Sequence, residues 1–90
     1  MYKGQVVVTL KKSILDPQGS AVEKALHTMD YKVEQVRIGK YMEVEINEDD
    51  EERAFQILDE ICRKVLTNPV IEEYSFTLLT KDGQKVGGAK

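Results

Sequence analysis

Four places in this chain carry residue types that do chemistry elsewhere. They are LDPQGSAV at 15–22, the single His27, the single Cys62, and the acidic run Glu48-Asp49-Asp50-Glu51-Glu52. Gly19 and Ser20 follow Asp16-Pro17 at the mouth of an expected helix, as glycines do in loops that turn backbone N–H groups onto a phosphate. A phosphate loop needs G-x-x-x-x-G-K-[ST], and this stretch has one glycine and no Gly-Lys pair. A local explanation is sufficient. The Asp16 carboxylate suits the N-cap, where it accepts from free amides of the first turn. Pro17 suits the first helical position, where a missing N–H loses nothing. Gly19 inside a helix is worse than alanine by roughly 1 kcal/mol, which leaves room for a second role such as the close approach of another backbone.

The other three places also have plainer readings. His27 stands without a second histidine or a cysteine at ligand spacing, and is read as solvent-facing or half-buried. Cys62 falls within an apolar helical stripe, so a buried, inert thiol is expected rather than a nucleophile. The acidic run lacks the alternating ligands and the glycine of a calcium loop, and reads as a solvated helix start. No catalytic residue and no metal site are therefore assigned. VRIGKY, at 36–41, gathers Arg37, Lys40 and Tyr41 at an expected turn of an acidic chain. It is either a contact for an anion or acidic partner surface, or a turn with solvated charges.

The totals narrow the field. Ninety residues make one domain, and a core this small favours association. Net charge is −3, with 16 acidic against 13 basic residues, and no basic face is visible for nucleic acid. No apolar run approaches the ~18–20 residues that span a bilayer, and residues 1–15 lack signal-peptide character. One cysteine excludes an intrachain disulfide and a cysteine-based zinc site, and fits a reducing cytoplasm.

The elements that must position these residues follow from periodicity. Residues 2–11 read as a strand with Val6, Val8 and Leu10 on one face, and Gly4 marks a bulge or a close backbone approach. Val22, Ala25, Leu26 and Met29 form one stripe of a helix at about 17–30. Residues 33–47 alternate strictly and keep phase across Gly39-Lys40. Two strands, 33–38 and 41–47, are favoured over one long bent strand. A second helix covers about 50–67, with acidic residues at its start, Arg63-Lys64 near its end and Asn68-Pro69 as the stop. Residues 70–79 read as a last strand. The domain is thus 1–80, and 81–90 is expected to be a flexible tail.

The resulting order, β-α-β-β-α-β, predicts an α+β ferredoxin-like sandwich: a four-stranded antiparallel sheet with two helices on one face. The other face, near Val7, Thr9 and Tyr41, stays open as a pairing surface.

LDPQGSAV followed by KALHTM, then VRIGKYMEVEI, then NPVIEEY, resembles the PurS subunit of phosphoribosylformylglycinamidine synthase over residues 2–79. The acidic 48–52 stretch and the tail 81–90 depart from that family. The resemblance implies a small non-catalytic subunit of a glutamine-dependent ligase of purine biosynthesis. Such a subunit joins the synthetase PurL to the glutaminase PurQ and supports ammonia transfer between them. It further implies self-association to a dimer or tetramer, a cytoplasmic location, no cofactor in this chain, and ATP and magnesium on PurL. Asp16, Pro17, Gln18 and Gly19 match the family's DPxG helix start, and Arg37, Gly39 and Lys40 its R-x-G-K turn. Both patches are expected to contact partners. A small-molecule-sensing module of the ACT-like kind shares the same element order and is the alternative.

Overall fold

The computed structural model describes residues 1–89. Strand β1 (Tyr2–Leu10) is followed by helix α1 (Pro17–Thr28), strand β2 (Gly39–Ile46) and helix α2 (Glu51–Ile61). A π-helical turn (Cys62–Leu66) extends α2, and strands β3 (Glu72–Thr80) and β4 (Lys85–Ala89) complete the chain. All four strands form one antiparallel sheet in the order β2-β1-β3-β4. The α+β, ferredoxin-like class holds: four antiparallel strands and two helices.

The fourth strand does not come from 33–38. That segment alternates like a strand but has no place in the sheet. Its amides bind side chains of the preceding helix region: Val36 N–H donates to Glu23 at 2.8 Å and Ile38 N–H to Asp16 at 2.8 Å. The strand comes instead from the stretch expected to be a flexible tail. Asp82-Gly83 turns the chain, with Gly83 at φ 90°, and Lys85–Ala89 pairs with β3. A side chain at Gly87 would sit 3.3 Å from the Phe55 ring, so its bareness lets β4 lie under α2. Lys90, the last residue of the expected tail, lies outside the described residues.

The core forms between the sheet and α2. Val6 and Val8 of β1, Ile46 of β2, and Phe76 and Leu78 of β3 point at Ala54, Leu58 and Cys62. These three helix residues recur every four positions, one buried stripe. Gly4 is the close approach anticipated from sequence. A Cβ there would stand 2.5 Å from Leu58 Cδ2, so glycine lets the helix settle onto β1.

Of the two helices expected over one face, α2 is the one seated there. In α1 only Gly19 is buried, while Val22 and Met29 are 38% and 64% exposed. The inner side of α1 is occupied by the 33–38 segment, which holds the helix out as an arm. The outline is accordingly long and thin, 50 × 29 × 15 Å.

On the far side of the sheet, Val7 and Tyr41 stand opposite each other in register and are both exposed. Lys3 and Glu43 form an ion pair on the same face at 3.1 Å. That face is open, as expected.

Candidate functional site

The two sequence patches meet in one joint at the root of α1. Asp16 caps the helix as its type dictates: Gly19 N–H donates to Oδ1 at 3.0 Å. The second oxygen of the same carboxylate accepts from Ile38 N–H at 2.8 Å, beside Arg37. The Arg37 guanidinium donates to the Leu10 carbonyl at the end of β1. One carboxylate and one guanidinium thus tie three stretches of chain together: the end of β1, the start of α1 and the approach to β2.

Gly19 earns its place here. A Cβ would meet the Val36 carbonyl oxygen at 2.2 Å and Asp16 Oδ2 at 2.6 Å. The returning backbone passes where any side chain would stand, which is the second role its helix penalty left open. Gly39 works in the same way, since a Cβ there would meet the Val8 carbonyl oxygen at 2.3 Å. Its φ is not left-handed, so close packing of β2 on β1, not a turn, requires the glycine.

Lys40 points elsewhere. Its ammonium lies 3.4 Å from Glu72 Oε2 across the end of the sheet. Pro17 and Gln18 are exposed at the helix mouth and available to a neighbour.

Electrostatics fit a structural joint. The amides of Gly19 and Ile38, with Arg37 nearby, hold the Asp16 carboxyl below the usual carboxylate range. The Asn68 amide, and then Lys40, do the same for Glu72. A depression of about 360 Å³ opens at the joint, bordered by Lys12, Leu15, Glu23 and Arg37. A second groove, about 650 Å³, sets Lys12 and Arg63 against Glu72 and Glu73. Two cations face two anions there, which gives no net pull on an anionic ligand.

His27 is exposed and its Nε2–H donates to the Val33 carbonyl at 2.6 Å, a further staple of the arm. Cys62 is fully buried, and burial pushes its thiol up to about 11, so it is neither accessible nor activated. No group of three or more His, Cys, Asp or Glu able to hold a metal ion occurs among the described residues. Sequence reasoning missed Glu23 as part of the joint. Its position four residues after Gly19, one turn further along the same face, was the available signal.

Fold and joint together define a small ferredoxin-like α+β protein whose most constrained polar geometry serves to present an arm. The chain belongs to the PurS family: residues 3–80 match the family model described as PurS, phosphoribosylformylglycinamidine (FGAM) synthase. It is 53% identical over 77 residues to the PurS subunit of phosphoribosylformylglycinamidine synthase of Bacillus subtilis strain 168, covering 84% of this chain and 90% of that one. The corresponding subunit of Synechocystis is 45% identical over 83 residues, covering 91% of this chain and 83% of the relative. Among solved structures, Bacillus subtilis PurS superposes with a TM-score of 0.77 at 51% identity, covering 89% of this chain and all (100%) of that one. A structure of PurLQS from Thermotoga maritima includes a chain that superposes with a TM-score of 0.77 at 28% identity, covering 88% of this chain and 99% of that one.

Proposed function

We propose that this chain is the small, non-catalytic subunit of a phosphoribosylformylglycinamidine synthase complex. It joins the synthetase PurL to the glutaminase PurQ and supports passage of ammonia between them. The complex converts formylglycinamide ribonucleotide, ATP and glutamine to formylglycinamidine ribonucleotide, with ATP and magnesium held by PurL, in the cytoplasm. The observation that carries this reading is the family match across residues 3–80, together with the likeness to a chain of PurLQS.

Asp16, Pro17, Gln18 and Gly19, with Arg37, Gly39 and Lys40, are the residues proposed to meet the partners. Pro17 and Gln18 supply exposed contact, and Asp16, Gly19 and Arg37 fix the backbone that presents them. The test is reconstitution. Adding the purified chain to its PurL and PurQ is expected to restore glutamine-driven synthesis, and a folded chain that restores nothing overturns the reading. Gln18→Ala and Lys40→Ala separate contact from folding: native circular dichroism with weaker assembly is expected.

A further inference from the structure

We propose that the uncovered end of β3 takes in an extended segment of a larger subunit as a further strand, one in which an acidic and a basic residue are neighbours. The inference rests on the assembly proposed above, and adds to it a surface and the kind of segment that meets it. The extent of β4 is the first observation. β3 spans Glu72–Thr80, but its ladder with β4 runs only from Leu79 to Phe76, which stands opposite Ala89. No strand among the described residues pairs with Glu72–Ser75 on that side. All four of these residues line the groove of about 650 Å³. Successive side chains of a strand point to opposite faces of its sheet, so a groove that meets four in a row runs along the strand's edge.

The second observation is what the backbone offers at that edge. The β1–β3 ladder is unbroken from Thr80 to Glu72, so each residue of β3 turns its N–H and C=O to one side and the next residue to the other. Lys11 N–H donates to the Ile71 carbonyl on the β1 side, and Thr80 N–H to the Gln84 carbonyl on the β4 side. Odd positions therefore face β1 and even positions face outward. Glu72 N–H is taken by the Asn68 carbonyl. Tyr74 N–H, Tyr74 C=O and Glu72 C=O remain at the edge with no strand to meet them, which is a template for strand addition.

The third observation is the charge on either side of that edge. Tyr74 points to the helix side of the sheet, where its hydroxyl donates to Asp59 at 2.6 Å and Arg63 Nε donates to the same carboxylate at 3.3 Å. The outer nitrogens of the Arg63 guanidinium are left for a second carboxylate. Glu73, the next residue of the strand, points to the open side and enters no ion pair among the described residues. A strand laid on this edge alternates in the same way. Its residue beside Tyr74 faces Arg63, and the neighbour of that residue faces Glu73. An acidic side chain at the first place and a basic one at the second meet opposite charges on both faces.

The test follows the Tyr74 amide by hydrogen exchange, in the full chain alone and after assembly with PurL and PurQ. The amide is expected to exchange quickly in the free chain and about tenfold or more slowly in the complex. Arg63→Glu and Glu73→Lys, both at exposed positions, are expected to keep the circular dichroism spectrum and the free chain's own mass, and to weaken assembly by about tenfold or more. An amide already slow in the free chain overturns the proposal. So do variants that assemble as tightly as the wild type, and variants whose own mass falls, which places the edge between copies of this chain. A wild type that neither assembles nor restores synthesis overturns the function proposed above as well. Restored synthesis with an unslowed Tyr74 amide overturns this proposal alone.

Discussion

Asp16 and Ile38, 22 positions apart, are joined by a 2.8 Å hydrogen bond from amide to carboxylate. The same side chain starts α1 through Gly19. A residue that by its type is only a helix cap therefore also sets where the chain returns from its excursion, and so where β2 begins. The Arg37 bond to the Leu10 carbonyl closes the excursion at its other side.

The joint gives a pH signature. Backbone donors make the Asp16 carboxyl more acidic in the folded chain than in the unfolded one. The folded state therefore holds its proton less readily. The stabilisation is fully present above the unfolded value of about 3.9, and is lost as pH falls through the depressed folded value. Asp16→Asn is expected to melt below the wild type at neutral pH, with the gap closing on acidification. Thermal melts across the acid range check this. A gap that stays constant down to the acid limit shows that the charge contributes nothing. The wild type will still lose stability with acid, because Glu43, Glu60 and Glu72 are depressed as well.

Gly4 and Leu58 should prove energetically coupled. Leu58→Ala is expected to destabilise by about 2–5 kcal/mol as a core truncation. Gly4→Ala places a methyl 2.5 Å from Leu58 Cδ2 and is expected to lose about 1–3 kcal/mol through overpacking. In the double variant the added methyl enters the space that the leucine vacated. The double variant's loss should fall short of the sum of the two single losses by about 0.5 kcal/mol or more. Denaturant titration of all four proteins measures it, and strict additivity would show that the contact carries no strain.

The last strand should contribute to stability although its sequence looks like a tail. Ending the chain after Thr80 removes Val86 and Ala89 from the edge of the core and uncovers Phe55 and Phe76. The expected loss is about 1–3 kcal/mol, from half-burial of a few apolar groups. Unfolding of the truncated chain in urea reads it directly. A truncated chain as stable as the full one would mean that β4 adds nothing to the sheet.

These cases show what the sequence discloses. Val6, Val8 and Cys62 were legible because a strand or helix facing one core repeats its apolar residues at its own period. The Asp16 cap was legible because its partner lies three residues away. The Ile38 bond was not, because nothing local marks an acceptor 22 positions off. Residues 33–38 alternate as a strand does, yet Glu23 and Asp16 took the amides that a ladder would have used. In 81–89 the opposite happened: Gly87 and Gly88 suggest disorder in isolation but are needed where β4 passes Phe55 and the Phe76 carbonyl. Asp82-Gly83 was the turn signal that favoured a hairpin there. The exposed stripe of α1 was visible in sequence, but periodicity shows that a face is apolar and not which surface covers it.

The centre of the sheet joins segments far apart in the chain, since β1 and β3 pair from Tyr2 with Thr80 to Leu10 with Glu72. Residues 11–71, about two-thirds of the polypeptide, must loop round before those two strands find each other, and the entropy of that closure is lost before any ladder bond forms. Such topologies acquire structure slowly compared with helical bundles of equal size. Through that interval the facing edges of both central strands lie bare to other chains, so refolding yield should fall with rising protein concentration.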